Sequence, residues 1–194
     1  MAVMDPGIPW AGFVLVGGSS SRMGQDKASL PYRGKKLIEH VAAAVAEAAG
    51  SVTLVGPPDR YRDLGFPVVP DGRPGLGPLA GIHTALCASP AAWNLIAACD
   101  LPAISGAFLK TLKAAAEVSA ADCLIPAGPS GQLEPLCAAY HSRCRDTIGK
   151  ALDRRVRKVT DGIAGLRISI WNVPESSWFQ NVNTPEEWTS YQNG

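Results

Sequence analysis

The chain has 194 residues, 46% of them hydrophobic and 18% charged, which is enough apolar material for one core and the length of a single domain over residues 1–194. Eighteen Lys plus Arg against seventeen Asp plus Glu leave a formal charge of +1, so no global field grips nucleic acid or an anionic membrane, and anion binding must be local. Twenty Gly and sixteen Pro predict many turns, without the pattern of a collagen-like or disordered chain.

In chain order, short β-branched apolar runs alternate with longer alanine-rich segments, the pattern of an α/β sandwich. Phe13–Val16 reads as a first buried strand, followed by an irregular loop and a helix over Leu37–Ala49 that Gly50 ends. Val52–Val55 and Val68–Val69 read as strands, and Pro78 suits the first turn of a helix running to about Ala88. Trp93–Cys99 is a fourth strand, and Ser105 caps a helix through about Val118. Leu124–Ile125 and Leu136–Tyr140 return as strands, Ser142–Leu152 as a basic helix, and Ile168–Val173 as a late strand. Thr184-Pro185-Glu186-Glu187 opens a last helix through Tyr191.

Five widely spread cysteines, Cys87, Cys99, Cys123, Cys137 and Cys144, contain no C-x-x-C pair. They argue against a disulfide framework or a zinc site and for a reducing, cytoplasmic setting. The N-terminus carries no basic segment ahead of an apolar stretch, and Glu47 interrupts the apolar run Val41–Ala49, so neither a secretion signal nor a membrane span is expected.

The strongest chemical signal directly follows the first strand: Gly17-Gly18-Ser19-Ser20-Ser21-Arg22-Met23-Gly24-Gln25-Asp26-Lys27-Ala28. Glycines let backbone N–H groups approach phosphate oxygens, and Arg22 and Lys27 add positive charge at the carboxyl end of a strand, where open α/β sheets bind ligands. The spacing is neither G-x-x-x-x-G-K-[ST] nor G-x-G-x-x-G. It does resemble the G-G-x-S-x-R-M-G-x-D-K-A loop of small nucleotidyltransferases at every fixed position.

Three further segments extend the resemblance. Asp71 and Gly77-Pro78-Leu79-Ala80-Gly81-Ile82 look like the D-x-x-x-G-P-L-A-G-[IL] segment of molybdenum cofactor guanylyltransferases, here with five residues between the Asp and the Gly-Pro, Cys99-Asp100-Leu101-Pro102 like their metal-binding C-D-x-P, and Asn181-Val182-Asn183-Thr184-Pro185 like their N-x-N-T-P. Glu134-Pro135-Leu136 is similar to the acidic or histidine residue that the family places before Pro-Leu. By composition alone Asp71 is a turn former, Asp100 a cap for the residues after it, and Asn181 and Asn183 turn residues.

The resemblance implies a three-layer α/β sandwich around a mostly parallel, Rossmann-like sheet of the nucleotide-diphospho-sugar transferase type. It implies transfer of GMP from GTP to molybdopterin cofactor, with Mg²⁺ on Asp100. Lys27 and Arg22 would counter triphosphate charge, Leu15, Val16, Gly17 and Gly18 would meet the nucleotide with Asp71, and Glu134, Asn181 and Asn183 would face the acceptor. Cofactor-delivery or molybdoenzyme proteins are the transient partners it suggests. Two departures stand out: Val16 replaces the usual Ala beside the expected base pocket, which its methyls would narrow, and the stretch Val55–Arg60 lacks an Asn that often contacts nucleotide.

A cytidylyltransferase on the same fold, and a non-catalytic nucleotide-binding adaptor, are the alternative readings; the Gly77–Ile82 segment disfavours the first, and the joint presence of Lys27 and Asp100 the second. From Arg143 to Lys158 seven basic residues face two acidic ones, a segment open to a phosphorylated acceptor although a solvated helix face is the commoner outcome. His40, His83 and His141 have no metal-ligand spacing, and none reads as catalytic.

Overall fold

A computed structural model of the chain describes residues 9–17, 27–180 and 188, with Lys27 through its backbone alone. Seven strands form the central sheet. In chain order they are β1 (Trp10–Leu15), β4 (Thr53–Val55), β5 (Val68–Val69), β6 (Trp93–Ala98), β7 (Cys123–Ala127), β8 (Cys137–His141) and β9 (Ile168–Asn172), and their spatial order is β5-β4-β1-β6-β8-β7-β9. All neighbours pair in parallel except β8, which runs antiparallel to both β6 and β7. The β7–β8 connection is too short for a crossover helix, so β8 returns against β7, as a hairpin connection requires.

Side chains alternate across this sheet and divide the core in two. From β1, Val14 packs on one face and Phe13 and Leu15 on the other; from β8, Ala139 packs on the first and Ala138 and Tyr140 on the second. Helices α1 (Leu37–Ala49) and α4 (Gly106–Glu117) cover the first face, and α3 (Pro78–Ala88), α5 (Cys144–Asp153) and α6 (Val159–Gly162) the second. The result is the three-layer, mostly parallel sandwich that the sequence implies.

The helix ends obey local chemistry. The Glu39 carboxylate accepts from Lys36 N–H at 2.7 Å at the start of α1, and Ser105 Oγ accepts from Phe108 N–H at 3.2 Å at the start of α4. The segment ahead of α1 is more regular than expected. Pro31–Tyr32 (β2) and Lys35–Lys36 (β3) form a two-stranded antiparallel ribbon around Arg33 and Gly34, both at positive φ, as a tight two-residue hairpin turn requires. A one-turn helix, α2 (Pro58–Tyr61), and α6 are also absent from the sequence expectations, since one turn is too short to show a period. The expected last helix from Thr184 lies outside the described residues; Trp188 alone is described there, buried against Tyr32 with ring centroids 5.8 Å apart.

Candidate active site

Chain connections leave β1 in opposite directions: through α1 to β4 on one side, and, two strands later, through α3 to β6 on the other. The carboxyl ends of β1 and β6 therefore flank a topological switch point, where an open α/β sheet leaves a crevice for ligands. Leu15 pairs with Ala98 there, and Cys99 N–H donates to the Leu15 carbonyl at 3.2 Å. Two residues beyond that pair stand Gly17 on one strand and Asp100 on the other.

The three described residues of the expected nucleotide loop differ in what they can offer. The Leu15 carbonyl is bonded to Cys99, and Val16 N–H donates to the Val55 carbonyl at 2.9 Å. Gly17 is exposed, its backbone makes no hydrogen bond among the described residues, and a Cβ on it would meet nothing within 4 Å. It is the first residue of the loop whose amide is open to a ligand. The Val16 side chain is fully buried in the core on the α1 face. A Cβ on Gly56 would clash with the Val16 carbonyl oxygen and stand 2.7 Å from its Cγ2, so the two residues pack tightly. Gly18, Arg22, Asn181 and Asn183, and the Lys27 side chain, lie outside the described residues.

Asp71 follows β5 and opens the loop into α3. Its Oδ1 accepts from Arg73 N–H at 2.9 Å and from the Thr84 hydroxyl at 3.1 Å, while Thr84 Oγ1 accepts from Gly72 N–H at 3.0 Å. Asp71 is thus both the turn former that composition suggests and a carboxylate fixed in orientation from two sides. Thr84 was missed by the sequence reading; with His83 it is one of two polar residues in the run Leu79–Leu86, and the buried one of the pair. Gly77 closes the loop at φ +80°, a left-handed conformation open to glycine, and hands the chain to Pro78 at the first position of α3.

Asp100 and Glu134 come together in a cleft of about 500 Å³, which Arg157 and Lys158 also line, with Leu133 and Pro78 among its apolar wall residues. Asp71 and the end of β1 are not part of this lining. Glu134 is held by its own backbone, its N–H donating to Pro126 at 2.9 Å and its carbonyl accepting from Cys137 at 3.0 Å. Gln132 Nε2 donates to its Oε1 at 3.0 Å. Burial pushes the Glu134 carboxyl above its ordinary range, and the Gln132 hydrogen bond pulls it partly back.

No group of three or more His, Cys, Asp or Glu side chains among the described residues could hold a metal ion. That donor set still fits Mg²⁺, which binds through one or two carboxylates and takes its remaining ligands from water and phosphate oxygens. Asp100, on the cleft wall, is one such carboxylate. The five cysteines form no disulfide, and the His40, His83 and His141 rings, each pushed below the usual imidazole range mainly by burial, stand outside the cleft lining. Among the described residues no helix is long and apolar enough to cross a membrane.

The family model of the MobA-like NTP transferase domain matches residues 12–167. A probable molybdenum cofactor guanylyltransferase of Carboxydothermus hydrogenoformans is 36% identical, the match covering 90% of this chain and 91% of that protein. The molybdenum cofactor guanylyltransferase of Xanthomonas euvesicatoria is 32% identical over 93% of each. Among solved structures, molybdopterin-guanine dinucleotide biosynthesis protein A from Archaeoglobus fulgidus superposes with a TM-score of 0.81 at 28% identity, covering 94% of this chain and 97% of that one. A 4-diphosphocytidyl-2C-methyl-D-erythritol synthase of Anaerococcus prevotii reaches 0.73 at 13% identity over 96% of this chain and 97% of its own, a likeness of fold alone.

Proposed function

Because this chain belongs to the MobA-like NTP transferase domain family, we propose that it is a molybdenum cofactor guanylyltransferase, moving GMP from GTP onto the terminal phosphate of molybdopterin cofactor. Full-length relatives of that name at 32–36% identity support the reading. The structural observation that carries it is the position of Asp100, at the switch point beside the glycine loop and on the wall of a cleft large enough for a second substrate.

The reaction needs no covalent enzyme intermediate. An oxygen of the acceptor phosphate forms a bond to the α-phosphorus of GTP; the bond from that phosphorus to the bridging oxygen of the β-phosphate breaks, and its electron pair leaves with pyrophosphate. A phosphate nucleophile is already ionised near neutral pH, so no general base is demanded. Gly17 and Gly18 receive the nucleotide through backbone groups, and Asp71 fixes the nucleoside with its second oxygen, the first being held by Arg73 and Thr84. Lys27 and Arg22 offset triphosphate charge. The chemistry supplied by Mg²⁺ on Asp100 is neutralisation of the charge on the transferring and leaving phosphates. Glu134 accepts hydrogen bonds from the N–H edge of the pterin, and Asn181 and Asn183 complete the acceptor side. Function in the cytoplasm, with transient hand-over to cofactor-delivery or molybdoenzyme proteins, follows from this activity.

Thermal unfolding with GTP, CTP, ATP or UTP, each with and without Mg²⁺, tests the proposal. A ligand at about 100 times its Kd adds roughly 2.7 kcal/mol, and each kcal/mol raises Tm by about 2–4 °C at this size. A rise with GTP alone that needs Mg²⁺ is expected, followed by GTP-dependent pyrophosphate release on adding molybdopterin. A rise with CTP alone would transfer the reading to a cytidylyltransferase, and GTP binding without pyrophosphate release would leave an adaptor.

A further inference from the structure

The basic segment singled out in the sequence separates into three groups in the fold. Arg143 Nε lies 2.7 Å from Asp122 Oδ1 and Arg145 Nε 3.2 Å from Asp146 Oδ1, so both are spent on structural ion pairs. Lys150, Arg154 and Arg155 stand outside the cleft lining, whereas Arg157 and Lys158 are on its wall with Asp100. Neither of these two has an ion-pair partner among the described residues, and both are exposed.

Their placement is built. α5 ends in a wrapped turn in which Arg155 N–H donates to the Leu152 carbonyl at 2.8 Å and Val156 N–H to the Ala151 carbonyl at 3.1 Å, with Arg155 held at φ +61°. A non-glycine residue in that region costs energy and persists where the surroundings impose it. The turn sends the chain back over the sheet, where Val156 packs on the core and Val159 is buried, so the two cations between them sit on a segment anchored at both sides. The same segment runs beside the start of α3: a Cβ on Gly77 would lie 3.7 Å from the Arg157 carbonyl oxygen.

We infer that Arg157 and Lys158 are binding residues for the acceptor, gripping its nucleophilic phosphate monoester beside Asp100 while the apolar wall and Glu134 receive its ring system. The inference rests on the guanylyltransferase reading and adds to it the residues that bring the attacking phosphate to the metal carboxylate. The charges fit: the described cleft wall offers two cations and two carboxylates, and with Asp100 holding Mg²⁺ when that ion is bound, a local cationic end would remain for a dianionic phosphate and an acceptor carboxylate for N–H donors.

The test uses the intact chain with Arg157→Ala, Lys158→Ala, the double variant and Arg157→Lys. Three readouts are taken: molybdopterin binding by pterin fluorescence, the Tm rise with GTP and Mg²⁺, and KM against kcat for GMP transfer. Each single alanine variant should weaken molybdopterin binding and raise its KM by about tenfold, the scale of one exposed charge-assisted contact. The double variant should lose more, Arg157→Lys should recover part, and the GTP-dependent rise should be unchanged. A reduced GTP rise with normal molybdopterin binding would overturn the inference by assigning the pair to the triphosphate. Unchanged values throughout would overturn it as well. A wild-type chain that shows no GTP-dependent rise would instead sink the guanylyltransferase reading, and the inference with it.

Discussion

Cys99 donates its backbone N–H to the carbonyl of Leu15 at 3.2 Å, one hydrogen bond past the last β1–β6 pair. That bond carries the sheet register out to its carboxyl edge, so the glycine loop and Asp100 leave adjacent strands at the same level. Asp100→Asn keeps the shape of the side chain and removes the charge. It should lower GMP transfer by about 10²–10³-fold with Tm within about 2 °C of wild type. Pyrophosphate release and a thermal melt measure the two effects, and a variant that melts normally but still transfers at the wild-type rate would remove Asp100 from the chemistry.

Thr84 links α3 to Asp71, and its loss should be felt at the nucleotide. Thr84→Val keeps the volume while leaving Gly72 N–H without its acceptor and one of the two donors to Asp71 Oδ1 absent. The expected cost is about 1–2 kcal/mol of stability, together with a several-fold weaker GTP affinity. Thr84→Ser, which restores the hydroxyl, should recover the affinity; a valine variant with wild-type GTP binding would make the Asp71 network purely structural.

Much of this arrangement was legible in the chain and some was not. The strands β1, β4 and β6 and the helices α1, α3 and α4 announce themselves because each is long or apolar enough to show a period, and Ser105 caps α4 as its position suggests. The β2–β3 ribbon does not, since two residues per strand cannot display alternation. The antiparallel setting of β8 is a tertiary fact: its residues Cys137–His141 read as a strand in either direction. Among site residues, Asp100 and Glu134 were named for local motifs, and the fold brings them into one cleft. The division of the basic segment was illegible because the partners that claim Arg143, and the turn that delivers Arg157, depend on distant packing.

Gly77 should tolerate no side chain. Its φ of +80° is strained for any L residue, so Gly77→Ala is expected to cost about 1–2 kcal/mol, a fall of roughly 2–8 °C in Tm. The loop from Asp71 must also shift, because Pro78 fixes the next residue. Reduced GTP affinity together with the lower Tm would identify the turn as part of the nucleotide site, whereas an unchanged Tm would contradict the assigned conformation.

Acid stability should depend on Asp122. Its carboxylate accepts from Arg167 through Nη2 at 2.9 Å and the backbone N–H at 3.0 Å, and pairs with Arg143; the Arg167 side chain first, then its backbone and the charges of both arginines, hold the acid below the usual carboxylate range against the opposing cost of burial. A group whose folded pKa is depressed stabilises the protein above its unfolded pKa and loses that contribution as pH falls through the folded value. Asp122→Asn should therefore cost about 1–3 kcal/mol at neutral pH, and the Tm gap to wild type should close as pH falls below the ordinary carboxylate range. A gap that stays constant across that range would mean that the carboxylate charge contributes nothing.

Val16 separates core packing from base selection. Its side chain is wholly buried and touches the space above Gly56, so Val16→Ala removes two methyl groups from the α1 face of the core. With about 0.8 kcal/mol per buried carbon and a further cavity term, the loss should be about 2–3 kcal/mol. Nucleotide preference should not follow it, because the side chain is wholly buried in the core. Thermal melts of the variant with each of the four nucleotides read both quantities at once: a lower baseline Tm with the wild-type order of nucleotide shifts is expected, and a changed order would place Val16 against the base.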